Sequence, residues 1–263
     1  MKYFTIILFL TVLPFTTKCQ ILKGRIVFKL FSVIDTIHPS EHESEGQLFF
    51  DINEKKSVYV TDRNLKLEQN QNIYDKKDDG IIVVRKSNPN SSGDKTGRVV
   101  FKSFIDKKLV FRDGFNGKSY IINDSYPEID WQILDSSKSI KGLICQKAEG
   151  DFRGRHYTAW FTNKIPIMDG PWKLCGLPGL ILEAYDEKKY FRFETQLIEF
   201  PLEFEEKIEI PSLGEKIEFA SFYKIREEAY KDFPKKVQAM LGEKTTGFSS
   251  KFSINLLERN ISQ

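Results

Sequence analysis

Arg153 and Arg155 flank Gly154, and His156 follows them. Two guanidinium groups so placed can grip a carboxylate or phosphate through paired N–H donors. At the entrance to a strand they can equally be neutralised by a nearby Asp or Glu. Asp169, Glu183 and Asp186 are the acids closest to the Pro/Gly-rich stretch 165–186. Carboxylate catalysis needs a facing pair of acids whose pKa values are pushed apart. A hydrolase built on this chain would draw on these three with Arg153 or Arg155. The plainer reading is solvated charge at strand ends. Nucleophile–base chemistry has little to work with, because the chain has three His and no Gly-x-Ser-x-Gly elbow. His38 and His42 have a metal-like spacing, but Pro39 disfavours the helix that would put both on one face. No catalytic residue, metal or cofactor is assigned.

The thiols come next. The N-terminus carries Lys2, then an apolar run from Tyr3 to Phe15, then Thr17 and Cys19, the pattern of an export signal cut after Cys19. Lys18 occupies the place where lipid modification of Cys19 would need a small residue. Export leaves Cys145 and Cys175. In an oxidising compartment they could be bonded to each other or could remain as two buried thiols, and the sequence allows both. No redox Cys-x-x-Cys pair is present.

These side chains need a scaffold, and the composition points to β-structure. The 263 residues include 22 Phe and 10 Tyr, and aromatic residues favour pleated, half-buried surfaces. The formal charge is +3, and losing Lys2 and Lys18 leaves 38 basic residues against 37 acidic ones. A nearly neutral chain with no dense basic cluster is not a nucleic-acid binder. No later segment approaches the roughly 20 apolar residues needed to span a bilayer.

Strand signals run from residue 22 onwards. Ile26, Phe28 and Leu30 alternate, and Gly46–Ile52 and Lys56–Thr61 flank an Asn53–Lys55 turn. Ile81–Arg85, Arg98–Ile105, Lys108–Arg112 and Lys118–Asn123 follow, with turns expected at Asp106–Lys107 and Asp113–Gly117. Asn64–Gly80 and Ser87–Gly97 read as loops. Trp131–Leu134, Ile140–Ala148 and Arg155–Thr162 continue the series, with Gly150–Gly154 as a link. Leu180–Tyr185 and Tyr190–Leu197 form a closing hairpin, with Phe191, Phe193, Thr195 and Leu197 on one face. Phe219, Phe222, Tyr223, Arg226 and Tyr230 recur at helical spacing, Pro234 should break that helix, and Gly242 should stop a second one. The expected architecture is mainly β, an antiparallel meander curled into a bowl or partial barrel. Residues 20–200 would form the β domain, and residues 201–263 a helical extension packed on or beside the sheet.

The stretch Ile165–Asp186 places Gly170-Pro171 and Leu177-Pro178-Gly179 among bulky apolar residues. Pro178-Gly179 suits the centre of a type II turn. The run Gly176-Leu177-Pro178-Gly179-Leu180-Ile181 resembles the signature of the GLPGLI family, exported proteins of Bacteroidetes-type bacteria whose biochemical role is not established. Trp131, Lys141-Gly142, Cys145, Phe152 to Arg155, Tyr157, Trp160 and Ile165-Pro166-Ile167 extend the resemblance over about 126–195. Cys145 matches a Cys usual in that family, and Cys175 falls at a variable position.

A loop of this composition either plugs one end of the sheet or borders an apolar pocket. On the second reading Arg153, Arg155, Trp160, Trp172, Leu177, Pro178 and Leu180 would contact a ligand. The expected function is non-catalytic binding, on the concave face, of an apolar or glycan-like ligand or a cell-envelope partner. The alternative is an envelope- or glycan-directed hydrolase. Asp35-Thr36-Ile37 resembles an O-glycan acceptor motif, and Asn90-Ser91-Ser92 is an N-glycan sequon.

Overall fold

The structure, a computed structural model, describes residues 22–33, 39–61, 74–76, 82–84 and 96–241. The expected leader, His38, both expected glycan motifs and the tail from Thr245 lie outside the described residues.

Alternating apolar residues build one large sheet. Its first half is β1 (Lys23–Val33), β2 (Glu41–Asp51), β3 (Lys56–Thr61), β6 (Arg98–Ser103), β7 (Lys108–Phe115) and β8 (Lys118–Asp124). Between β3 and β6 lies a separate hairpin, β4 (Tyr74–Lys76) with β5 (Ile82–Val84). The second half is β9 (Gln132–Ile140), β10 (Leu143–Phe152), β11 (Arg155–Thr162), β12 (Leu180–Asp186) and β13 (Phe191–Glu199). Then come β14 (Glu215–Glu218) and the helix α1 (Phe219–Leu241). The sheet has 12 strands in the order β14-β8-β7-β6-β3-β2-β1-β13-β12-β11-β10-β9. Every neighbour is antiparallel except β14, which runs parallel to β8.

That order forces the sheet to curl. The seven residues 125–131 carry the chain from β8 near one edge to β9 at the other. Eight Cα steps reach at most about 29 Å, whereas ten strand spacings laid flat would span about 48 Å. The sheet therefore bends into a bowl, and it does not close into a barrel. Bulges between Val27 and Phe28 and between Trp160 and Phe161 add local bend and twist.

The inner face holds the main core, with Ile26, Phe28, Leu48, Phe50, Ile122, Tyr157 and Phe193 buried. At one end the outer face carries a second cluster, Phe49, Val58, Val60, Val99 and Phe101. An extended strap over residues 201–213 covers it, with Phe204 and Ile208 packed against the cluster.

Several expectations need correction. The turn expected over Asp113–Gly117 is confined to Asn116-Gly117, because β7 runs on to Phe115. The link expected over Gly150–Gly154 is confined to Arg153-Gly154, because β10 continues to Phe152. The stretch Asn64–Gly80, expected as a loop, includes the strand β4. Leu197 is 44% exposed, because Val27 pairs with Leu197 while Phe28 pairs with Thr195. Gln196 is the extra residue, so Leu197 turns to the outer face. Pro234 does not end the helix, and a single helix spans Phe219–Leu241. Proline removes one ladder bond, and here the flanking turns carry the helix past it.

Candidate functional site

Seventeen residues, 163–179, join β11 to β12 and fold back into the bowl as a clasp. Ile165, Ile167, Leu174 and Leu177 enter the main core, each no more than 5% exposed. Gly170 and Gly179 make this approach feasible. A Cβ at Gly170 would lie 2.7 Å from Ile181 Cβ, and one at Gly179 would lie 2.2 Å from the Thr162 carbonyl oxygen. The expected type II turn does not form. Gly179 N–H donates to Leu177 O at 2.7 Å, a tighter three-residue turn centred on Pro178, and Gly179 takes a φ of +158°.

Buried charges fasten the clasp. Lys102, on β6, and Asp169 form an ion pair with no solvent exposure. Lys102 Nζ also donates to Gly170 O (2.9 Å) and Trp172 O (3.0 Å). Asp169 Oδ1 accepts Gly170 N–H at 2.8 Å, while Asp169 Oδ2 is buried with no hydrogen-bond partner. Lys173 Nζ pairs with Asp124 Oδ2 at 2.8 Å and lies 3.9 Å from the Phe111 ring centre and 4.9 Å from that of Phe219. Aromatic faces and a carboxylate together stabilise a buried ammonium. Phe219 opens α1, so this cation ties the clasp to the helix as well as to the sheet.

The two candidate arginines do not form a clamp. Arg153 donates to Asp124 Oδ1 (2.7 Å) and Ser125 Oγ (3.1 Å) and stacks on Phe219 at 4.6 Å. Arg155 pairs with Asp186 Oδ2 at 2.8 Å and lies 4.5 Å over Phe191, while Asp186 Oδ1 accepts Phe191 N–H. Each guanidinium thus has its own carboxylate. The three acids also remain apart. Asp169 lies in the clasp, Asp186 turns inward to Arg155, and Glu183 leaves β12 on the opposite, outer face to meet Lys138 Nζ at 2.6 Å.

The remaining candidates divide between packing and surface. Leu177 and Leu180 are core residues, Pro178 is exposed, and Trp172 is half-buried against Phe152 at 5.7 Å. Trp160 is half-buried on the outer face, with Lys138 Nζ 4.4 Å from its ring centre. His156 Nδ1 lies 2.8 Å from Asp151 Oδ1, and His42 meets Ser40 Oγ at 3.3 Å. No group of three or more His, Cys, Asp or Glu side chains among the described residues is arranged to hold a metal ion.

Both thiols are free and buried. Cys145 lies 3.6 Å from Leu143 O, and Cys175 lies 3.9 Å from Tyr126 OH. Burial raises each to a pKa of about 11. Burial, then Cys175 and Asp169, hold the Tyr126 phenol above its ordinary value. Trp131 Nε1 donates to Cys175 O at 2.8 Å.

The important residues missing from the sequence reading are Lys102, Asp124 and Lys173. Lys102 did leave a trace. It follows Val100 by two in an apolar strand and so falls on a core-facing position.

Residues 153–183 match the model of a family described as a protein of unknown function, Porph_ging. The segment is the β10–β11 turn, β11, the clasp and most of β12, and it contains the run Gly176–Ile181. No curated protein matches the chain. Among solved structures, PNGF-II aligns with 79% of this chain and 34% of its own, at 10% identity and a TM-score of 0.49. The chain thus spans about a third of the length of that protein. An uncharacterized conserved protein from Thermus thermophilus aligns over 74% of this chain and 90% of its own, at 8% identity and a TM-score of 0.37. A LolA superfamily protein from Nitrosomonas europaea aligns over 72% and 90%, at 9% identity and a TM-score of 0.30. All three superpose loosely. No helix among the described residues is long and apolar enough to cross a membrane.

Proposed function

We propose that this is a non-catalytic binding protein of the cell envelope that holds a glycan-like ligand on the uncovered part of its outer face. The observation that carries this reading is the contrast between the two ends of that face. One end is apolar and lies under the strap. The other is built by cross-strand rows: Lys147, Trp160, Glu183, Glu194 and Lys29 in one, Tyr185, Arg192 and Phe31 in the next. Directly opposed residues share a face, so Trp160 and Tyr185 stand as diagonal neighbours among carboxylates and cations. Aromatic rings take the C–H face of a sugar, and flanking charges take its hydroxyls. Lys138 and Glu183 form a partly exposed pair worth about 1 kcal/mol or less, so a ligand displaces it at little cost.

The concave face is less suited to a ligand, because the clasp and α1 fill it with side chains. An export leader fits the envelope setting, and a protein partner docked on the same surface is the nearest variant of this reading.

The test is a thermal-shift titration of the full chain, freed of its leader, with envelope-type oligosaccharides. Ligands that bind the native state raise its stability. The expected result is stabilisation by at least one glycan class, abolished in Trp160→Ala with an unchanged circular-dichroism spectrum. No shift from any glycan, or equal binding by the variant, overturns the reading.

A further inference from the structure

We propose that Lys102 and Asp169 are a modification site, at which the two side chains condense into an intramolecular amide that welds the clasp to β6. The inference is independent of the glycan reading. Four observations point to it. The amine and carboxyl groups are in direct contact, and neither has any solvent exposure. Gly170 O and Trp172 O hold Nζ in place. Gly170 N–H donates to Asp169 Oδ1 at 2.8 Å and so polarises the carbonyl that would be attacked. Asp169 Oδ2 is buried and held by no hydrogen bond, which leaves it as the oxygen free to depart.

A buried ion pair gives up its hydration, and condensation to an amide removes both charges. The step balances without any oxidant or co-reactant. The ammonium of Lys102 passes one proton to the Asp169 carboxylate. The Nζ lone pair then attacks Cγ, the Nζ–Cγ bond forms and the Cγ–Oδ2 bond breaks. Oδ2 leaves as water, carrying the transferred proton and one more from Nζ. The second proton passes from Nζ to the departing oxygen within the contacting pair itself. The amide N–H that remains keeps one backbone carbonyl as its acceptor. The released water has to leave the site, and once it has gone hydrolysis has no reagent there.

Mass spectrometry of the full chain tests the bond directly. The expected intact mass is one water, about 18 Da, below that of the processed sequence. Trypsin should release residues 99–107 joined to residues 165–173, uncut after Lys102, and Lys102→Arg should restore both the full mass and the separate peptides. An unmodified mass together with free 165–173 peptide at full yield overturns the proposal, whatever the variant does.

Discussion

Lys102 and Asp124 occupy one cross-strand row of the inner face: Lys102 pairs with Leu109, and Leu109 pairs with Asp124. Across from them, Asp169 and Lys173 stand four residues apart in the clasp and meet them with opposite charge. The sheet offers plus then minus, and the clasp answers minus then plus. Register therefore decides the fit, because moving β8 by one residue would turn Asp124 to the other face.

Asp124 is the joint of this arrangement, since it also accepts Arg153. Asp124→Ala leaves two cations without their carboxylate in a buried setting. Breaking a buried pair costs about 3–5 kcal/mol. Urea unfolding should show a loss of that size, and Asp124→Asn should lose less. Equal stability of Asp124→Ala and the parent would mean that the charges are solvated in solution.

The thiols give a chemical check. Cys145 and Cys175 are free and buried, and burial raises both pKa values to about 11 from an ordinary value of 9.0. Iodoacetamide near neutral pH should label neither in the native protein and both in denaturant. The linkage sign follows from the raised values. The unfolded thiols ionise first, so the stability they contribute is complete below pH 9 and is lost as pH rises towards 11. Cys175→Ala should flatten that alkaline decline.

Gly179 is a steric test of the clasp. Any Cβ there meets the Thr162 carbonyl at 2.2 Å. Gly179→Ala must push backbone apart, and overpacking of this kind costs about 1–3 kcal/mol. A Cβ added at Gly117 would have nothing within 4 Å of it. Gly117→Ala should cost only its turn strain, a smaller loss of melting temperature.

The strap yields a further outcome. Phe204 packs edge-on against Phe49 at 5.2 Å and, with Ile208, covers the outer apolar cluster. Truncating both to Ala should bare that cluster, raise binding of a hydrophobic dye and open residues 201–213 to protease. Unchanged protection would show that the strap is held by its backbone.

The bowl was legible in the sequence because alternation survives along most strands. Ile26 and Phe28 are buried with Leu30 half-buried beside them, and Phe191, Phe193 and Thr195 are buried as written. What was hidden depends on partners far away in the chain. Arg153 and Arg155 could be read as a clamp or as neutralised by a nearby acid, and the carboxylates that pair with them come from Asp124 and Asp186 on other strands. Lys173 drew no reading from the sequence, and only the fold shows the rings of Phe111 and Phe219 around it. The extra residue Gln196 leaves no composition signal, so the turning of Leu197 to solvent could not be read ahead.

The seam between β1 and β13 joins residues such as Arg25 and Glu199, the first and nearly the last parts of the sheet. Each half of the sheet can zip up from neighbouring hairpins, but the seam must wait for the whole span to exist. Contacts of such long separation form late and slowly. During synthesis the margin of β1 stays bare until residues 191–199 arrive, and an unpaired strand margin invites pairing with other chains. The molecule is therefore most exposed to aggregation before β13 is made, and a holdase that shields β1 would help it more than any aid given later.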